Sequence, residues 1–207
     1  MKAPGQPVRQ ARLGAGQVNP AHADLRESQF ASPCLNQGNE LSAVEGHLPI
    51  VKTLRCADEV ATQALARQLA GQVALRQALV ELRGDLGAGK TTLVRHVLQA
   101  LGVQGRIKSP TYAVVEPYST AGFGVWHFDF YRFEDPQEFE DAGFRDLFAS
   151  PGLKLAEWPE RAAGLLPPCD LRIDIALLDG DAADDSRDAC REVRLQAFTP
   201  LGASLLS

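Results

Sequence analysis

One short loop carries the clearest chemistry in this sequence. Residues 84–91 read Gly-Asp-Leu-Gly-Ala-Gly-Lys-Thr and match the phosphate-binding pattern G-x-x-x-x-G-K-[ST]. Glycines in such a loop let main-chain N–H groups turn inward around phosphate oxygens. The lysine, Lys90, can reach the β- and γ-phosphates, and the hydroxyl of Thr91 can bind Mg²⁺. The segment therefore predicts a nucleotide-phosphate site.

The residues around this loop predict the strand and the helix that must position it. Residues 78–82 form a short apolar run that is typical of a buried strand. After Lys90, apolar residues recur at helical spacing up to Gly102, which ends the predicted helix. The loop therefore lies at a helix N-terminus, where the helix dipole and unpaired N–H groups favour an anion.

The rest of the chain alternates predicted helices and strands. A helix capped by Asp58 precedes the loop, and a second helix starts at Asp135-Pro136. The predicted strands are 113–115 and 125–128, which form a hairpin, then 153–156, and a late pair around 171–177 and 193–197. Strands and helices around a phosphate loop predict an α/β, P-loop NTPase-like three-layer domain with a central mixed sheet that is mostly parallel.

Composition divides the chain into three parts. Residues 1–47 are rich in small and polar types with a single aromatic, which predicts a disordered N-terminal extension or a mis-assigned start codon. Residues 48–198 carry the globular pattern and form the predicted domain that holds the phosphate loop, and residues 199–207 are expected to be a tail.

Charge, hydropathy and cysteine usage exclude several classes of protein. A net charge of −5 argues against free-standing nucleic-acid binding. No apolar run approaches the roughly 18 residues of a membrane span, and the N-terminus lacks the apolar core of a secretory signal. The four cysteines are scattered without a C-x-x-C pair, as expected of reduced thiols. We therefore expect a cytoplasmic protein without membrane contact.

Two acidic residues compete for the role of metal ligand. Mg²⁺ bound with a nucleotide normally takes a carboxylate at the C-terminal end of a neighbouring strand. Asp129 follows the apolar strand 125–128, and Glu157 follows the apolar strand 153–156. Spacing alone does not rank them.

Further polar side chains are weaker candidates for the site. Ser109 or Thr111 can orient water or bind metal, although Pro110 between them equally fits a plain turn. Trp158 can stack on a base or a partner, or pack in the core, and His127 fits a core histidine better than a site residue. Four arginines can each stabilise γ-phosphate charge, although a solvated surface arginine is the default for each: Arg132, Arg145, Arg161 and Arg191.

Other nucleotide-binding classes fit less well. The guanine-reading string N-K-x-D and the switch string D-x-x-G of GTPases do not occur in the sequence. The glycines are not spaced as G-x-G-x-x-G, which argues against a dinucleotide fold. A small-molecule kinase remains possible, but no segment resembles an arginine-rich lid.

Five motifs together resemble the TsaE (YjeE) family. They are GDLGAGKTT at 84–92, KSPTY at 108–112, VEPY at 115–118, HFDFYR at 127–132 and EWP at 157–159. The likeness covers roughly 48–198. It implies a P-loop ATPase that uses ATP and Mg²⁺ in forming threonylcarbamoyladenosine beside the anticodon of tRNA. It also implies a TsaD–TsaB heterodimer as protein partner, with tRNA contacted only indirectly through that complex.

The resemblance also implies roles for individual residues. Thr91 and Glu157 would be the metal ligands, which ranks the two strand-end acids. Lys90, Asp129 and Thr111 would be catalytic, with Asp129 positioning water or binding metal through water. The implied nucleotide contacts are Asp85, Leu86, Gly87, Ala88, Gly89, Lys90, Thr91 and Thr92, with Glu59 near the adenosine. A nucleotide-gated switch without hydrolysis remains an alternative to the ATPase.

Overall fold

A seven-stranded sheet organises the computed structural model, which describes residues 50–178 and 189–207. The strand order across the sheet is β1-β7-β6-β2-β5-β4-β3. The strands are β1 (Ile50–Cys56), β2 (Leu79–Arg83), β3 (Val115–Ser119), β4 (Gly124–Asp129), β5 (Leu153–Glu157), β6 (Leu171–Leu177) and β7 (Arg191–Ala197). The predicted extension 1–47 lies outside the described residues.

Parallel strands occupy the centre of the sheet and antiparallel strands its margins. Strands β6, β2, β5 and β4 are mutually parallel, while β3, β7 and β1 join by antiparallel pairing. The predicted mixed α/β sheet is therefore confirmed. Because the central strands run in one direction, the carboxyl ends of β2, β4 and β5 meet at the same edge, where ligands of open α/β sheets bind.

Five α-helices flank the sheet within the described ranges. They are α1 (Glu59–Gly71), α2 (Lys90–Ala100), α3 (Pro136–Asp141), α4 (Phe144–Ala149) and α5 (Pro200–Ser204), with short 3-10 helices at Val73–Gln77 and Pro159–Ala162. Asp58 caps α1 as predicted, since its Oδ1 accepts a hydrogen bond from Ala61 N at 2.7 Å. None of these helices combines the length and apolar character needed to cross a bilayer.

Two apolar clusters lie on opposite faces of the sheet. Alternate residues of a strand point to opposite faces. In β5, Leu155 belongs to the cluster that includes Leu93 and Leu98 of α2, while Ala156 belongs to the cluster with Phe139 and Phe144 of α3 and α4. The helices therefore form a layer on each face, which gives the predicted three layers.

Several local features differ from the sequence prediction. The edge strand β1 was not predicted. The predicted strand 113–115 starts only at Val115, because Val114 has a left-handed φ of 61°. Residues 199–207, expected to be a tail, carry α5, whose start is capped by Thr199, and Leu205 is 1% exposed. That segment packs against the domain because its apolar side chains cover the end of the core.

Candidate functional site

Glycine backbone conformations shape the loop between β2 and α2. Gly84, Gly87 and Gly89 have φ values of +136°, +84° and +110°, which side chains rarely allow. A Cβ on Gly84 would also lie 2.1 Å from the carbonyl oxygen of Ile175 in β6. Gly89 is the N-cap of α2. The loop therefore turns sharply and ends on a helix N-terminus, as an anion site requires.

The side chain of Lys90 is folded back inside this loop. Its Nζ donates hydrogen bonds to the carbonyl oxygens of Gly84 at 2.7 Å and Asp85 at 2.8 Å. The same Nζ lies 3.8 Å from the centroid of the Trp158 ring. Burial lowers the pKa of Lys90 from its usual value, while nearby carboxylates, Glu157 foremost, oppose that shift. A positive charge is thus fixed at the centre of the loop.

Sheet register brings the two strand-end acids side by side. Asp129 of β4 pairs with Glu157 of β5, and Glu157 pairs with Leu82 of β2 on its other side. Both carboxylates are buried, with Asp129 4% and Glu157 2% exposed. Both acids therefore stand next to the strand that leads into the loop.

Glu157 is held from two directions. The Thr91 hydroxyl donates to its Oε2 at 2.9 Å, and His127 Nε2 lies 2.8 Å from its Oε1. A carboxylate only accepts, so His127 carries a hydrogen on Nε2. His127 is 0% exposed, and its Nδ1 has no hydrogen-bond partner among the residues that the structure describes.

His127 is buried, as the sequence predicts for a core histidine, and it also contacts a residue of the site, Glu157. It lies two residues before Asp129 on β4 and reaches across to the end of β5. Because alternate strand residues share a face, the spacing of His127 and Asp129 was a usable signal.

Asp129 anchors the segment that follows α2. Its Oδ2 accepts from Thr111 Oγ1 at 3.0 Å and from the Ser109 hydroxyl, and its Oδ1 accepts from Tyr131 N at 3.0 Å. Asp129 N also donates to the carbonyl of Val114, the valine with positive φ. Such strain at a β-branched residue persists only where its surroundings hold it. Segment 109–111 is therefore fixed against the site.

These elements enclose a cavity of about 330 Å³. Nine predicted site residues line it: Leu86, Gly87, Gly89, Lys90, Thr91, Thr92, Thr111, Asp129 and Glu157. Ser109, Tyr131 and Trp158 complete the lining. Asp85 contributes its carbonyl to Lys90, and Ala88 is buried within the loop. The structure thus brings together residues from four separate sequence motifs.

Glu59 stands apart from this group. It is absent from the residues that line the cavity, and its Oε1 lies 3.1 Å from Nε2 of His96 in α2. That contact joins the start of α1 to the middle of α2. The predicted closeness of Glu59 to an adenosine stays a prediction.

The donor set around Thr91 suits Mg²⁺ carried by a nucleotide. Within the described residues no group of three or more His, Cys, Asp or Glu side chains can hold a metal ion by itself. One hydroxyl and one carboxylate 2.9 Å apart stand at the helix start instead. Mg²⁺ usually takes one or two such protein ligands and completes its shell with phosphate and water oxygens. The residues present therefore fit that ion.

Comparison with known proteins gives the family. The family model described as "Threonylcarbamoyl adenosine biosynthesis protein TsaE" matches residues 56–187, which span the loop, both acids and segment 109–111. The chain belongs to the TsaE family. The resemblance found in the sequence is thereby confirmed.

Individual TsaE relatives agree with this assignment. The chain is 46% identical over 129 residues to "tRNA threonylcarbamoyladenosine biosynthesis protein TsaE" of Haemophilus influenzae, covering 62% of this chain and 76% of that protein. It is 35% identical over 127 residues to the protein of the same name from Bacillus subtilis, covering 61% and 76%. The crystal structure of Bacillus subtilus YdiB superposes with a TM-score of 0.56 at 25% identity, covering 77% of this chain and 94% of that one. This likeness supports the P-loop NTPase-like fold.

Proposed function

We propose that the protein is a Mg²⁺-dependent ATPase that works with TsaD and TsaB in forming threonylcarbamoyladenosine on tRNA. One observation carries the proposal. Thr91 at the end of the phosphate loop donates to Glu157 at 2.9 Å, while Lys90 lies buried in the same loop. A hydroxyl, a carboxylate and a lysine in this arrangement are the protein groups that a Mg²⁺–nucleotide needs.

The loop supplies binding and charge stabilisation for ATP. Its main-chain amides and the N-terminus of α2 would hold the phosphates, with Thr92 beside the α-phosphate. Lys90 would leave the carbonyls of Gly84 and Asp85 and donate to the β- and γ-phosphates, whose oxygens gain charge during transfer. The aromatic face of Trp158 keeps the ammonium in place until a phosphate takes over.

The two acids would divide the remaining work. Glu157 and Thr91 would hold Mg²⁺, which when bound offsets the charge of the β- and γ-phosphates. Asp129 already fixes the hydroxyls of Ser109 and Thr111 at the cavity wall. Those hydroxyls are the groups best placed to orient an attacking water, and Asp129 would fix their direction. Loss of Asp129 would therefore disturb the chemistry more than the binding.

The partner and the pathway come from the family. The relatives are named for tRNA threonylcarbamoyladenosine biosynthesis. We infer that the protein contacts the TsaD–TsaB heterodimer and reaches tRNA only through it, since its net charge of −5 offers little attraction for nucleic acid. The partner would complete or order the ATP site, so hydrolysis by the isolated protein should be slow.

Single-turnover hydrolysis of ATP tests the proposal. The protein is mixed with substoichiometric ATP and Mg²⁺, with and without TsaD–TsaB, and phosphate release is followed. We expect release that the partner accelerates and that Lys90→Ala abolishes. Lys52→Ala, on the edge strand β1, is the control for the loss of one positive charge. Tight nucleotide binding without hydrolysis under any condition would instead favour a nucleotide-gated switch, and phosphate transfer to a metabolite would favour a kinase.

A further inference from the structure

Arg191 meets the phosphate loop from a distant part of the chain. It is the first residue of β7 and pairs with Leu177 at the end of β6. Strand β6 runs parallel to β2, so both strands end at the sheet edge where the loop begins. The antiparallel β7 therefore starts at that same edge and delivers Arg191 to the loop. This arginine lies beyond residues 56–187, the part of the chain that the family model matches.

The guanidinium of Arg191 binds the loop without being among the residues that line the cavity. Its Nε donates to the carbonyl oxygen of Ala88 at 3.0 Å, and its Nη1 donates to the carbonyl oxygen of Ala189 at 2.6 Å. It also packs directly on Gly89, where a Cβ would lie 2.8 Å from Nε and 3.3 Å from Cδ. The contact with Ala189 fixes the guanidinium to the segment just before β7, and the contact with Ala88 fixes the loop to the guanidinium.

Peptide geometry links this contact to the inner side of the loop. In a trans peptide the carbonyl of one residue and the N–H of the next point in opposite directions. The carbonyl of Ala88 and the N–H of Gly89 belong to the same peptide. Because Arg191, which does not line the cavity, holds the Ala88 carbonyl, we infer that the Gly89 N–H is turned the other way, toward the cavity that Gly89 lines. The cavity is where a phosphate oxygen would accept it.

The other arginines considered in the sequence have different contacts. Arg132 stacks on the exposed ring of Tyr112 at 4.4 Å, and Arg145 pairs with Glu140 on the surface. Arg161 is exposed in the 3-10 helix Pro159–Ala162. Of the four, Arg191 is the one with described contacts to the loop. Its described contact is with a loop carbonyl, and the γ-phosphate contact considered for it stays a prediction.

We propose that Arg191 is a positioning residue that orients the Ala88–Gly89 peptide for the β-phosphate of the bound nucleotide. The inference rests on the proposed nucleotide binding and adds a residue from β7 to it. An arginine suits this role because its fork makes two hydrogen bonds of fixed direction, which a lysine does not. The role predicts a loss of affinity shared by every nucleotide that carries a β-phosphate.

The test compares Arg191→Gln with Arg194→Gln in the full chain. Arg194 is exposed on the same strand, three residues on, so its variant makes the same charge change without the loop contact. Arg191→Lys keeps the charge but replaces the guanidinium fork with an ammonium, and it serves if the glutamine variant unfolds. Affinities for Mg–ATP, Mg–ADP and adenosine are measured by calorimetry, and hydrogen exchange of segment 84–91 is measured without nucleotide.

We expect Arg191→Gln to weaken Mg–ADP and Mg–ATP equally, by about 10-fold, since one hydrogen bond to a charged donor is removed. Adenosine affinity should stay near wild type, and hydrogen exchange in the nucleotide-free loop should rise. Arg194→Gln should change neither the affinities nor the exchange. Arg191→Lys should give values between those of wild type and Arg191→Gln.

Three results would overturn the assignment. A loss of affinity for Mg–ATP that greatly exceeds the loss for Mg–ADP would show that Arg191 acts on the γ-phosphate. An equal loss of affinity for adenosine would show that Arg191 acts on the nucleoside. Unchanged affinities together with unchanged exchange would make the contact irrelevant. If wild-type protein takes up no nucleotide at all, the proposed function fails, while the exchange comparison still decides whether Arg191 holds the loop.

Discussion

The Lys90 ammonium lies 3.8 Å from the centroid of the Trp158 indole, directly over the ring. Trp158 has a left-handed φ of 57°, unusual for a bulky residue, and its ring also contacts Tyr131 at a centroid distance of 5.0 Å. It follows Glu157 immediately at the end of β5. A strained aromatic residue therefore covers the lysine that the proposed reaction needs.

This contact makes Trp158 a reporter of nucleotide binding. When Lys90 turns to a phosphate, the charge beside the indole changes, so its fluorescence should change too. The protein has two tryptophans, and Trp126 lies on β4 beside Gly124 and Gly152, away from the cavity lining. We expect Trp126→Phe to keep the fluorescence response to Mg–ADP and Trp158→Phe to lose it. A response that follows Trp126 would contradict the described site.

The two strand-end acids should separate in binding and rate experiments. Glu157→Ala removes the carboxylate that Thr91 contacts, so we expect it to weaken Mg²⁺-dependent nucleotide binding more than Asp129→Ala does. Asp129→Ala releases the hydroxyls of Ser109 and Thr111, so we expect it to lower the single-turnover rate by about 100-fold. Calorimetry and single-turnover kinetics measure the two effects. The reverse pattern would exchange the two roles.

His127 should act on metal binding through Glu157. It donates to the oxygen of Glu157 that Thr91 does not contact, and so it fixes the direction of that carboxylate. We expect His127→Leu to raise the Mg²⁺ concentration needed for nucleotide binding by about 10- to 100-fold. His127→Gln keeps a hydrogen-bond donor, so it should raise the required Mg²⁺ concentration by less.

The comparison of these two variants separates positioning from packing. Both change the volume at a fully buried position, so both should lower the unfolding temperature. Equal Mg²⁺ requirements for the two variants, at equal stability, would show that the hydrogen bond to Glu157 has no role in metal binding.

Cys169 should give the folded protein a pH dependence in the alkaline range. Burial, reinforced by the negative charge of Glu81, raises the pKa of the Cys169 thiol from 9.0 to about 11. The folded state therefore keeps this proton where the unfolded state releases it, so the free energy of unfolding falls as pH rises from about 9 toward 11. Denaturant unfolding of wild type and Cys169→Ala measures this slope. A fall that is equally steep or steeper in Cys169→Ala would contradict this role of Cys169.

The sequence predicted the loop, its helix and most of the sheet because these depend on local patterns. Glycine spacing and alternating apolar residues identify a phosphate loop and buried strands without knowledge of their neighbours. Strand β1 was not predicted because its exposed positions, such as Ile50 and Val51, carry apolar residues. The alternation of apolar and polar residues is therefore weak there. Helix α5 was not predicted because a helix of five residues is too short to show a helical period in the sequence.

The side-chain partnerships could not be read from the sequence in the same way. The contacts of Glu157 with Thr91 and His127 span 66 and 30 residues, and the contact of Arg191 with Ala88 spans 103. Such pairs depend on strand order and register, which local patterns leave open. For this reason spacing alone left Asp129 and Glu157 unranked, and it gave no reason to prefer Arg191 over three other arginines.

Equilibrium titration of wild type and Lys90→Ala with Mg–ADP tests the central claim most directly, because it asks whether the loop binds phosphates before any question of rate or partner. The described loop predicts saturable uptake at one site by wild-type protein and loss of that uptake in Lys90→Ala, with both proteins folded. No saturable uptake by wild type, whether alone or with TsaD–TsaB, would contradict it, and so would unchanged uptake by Lys90→Ala.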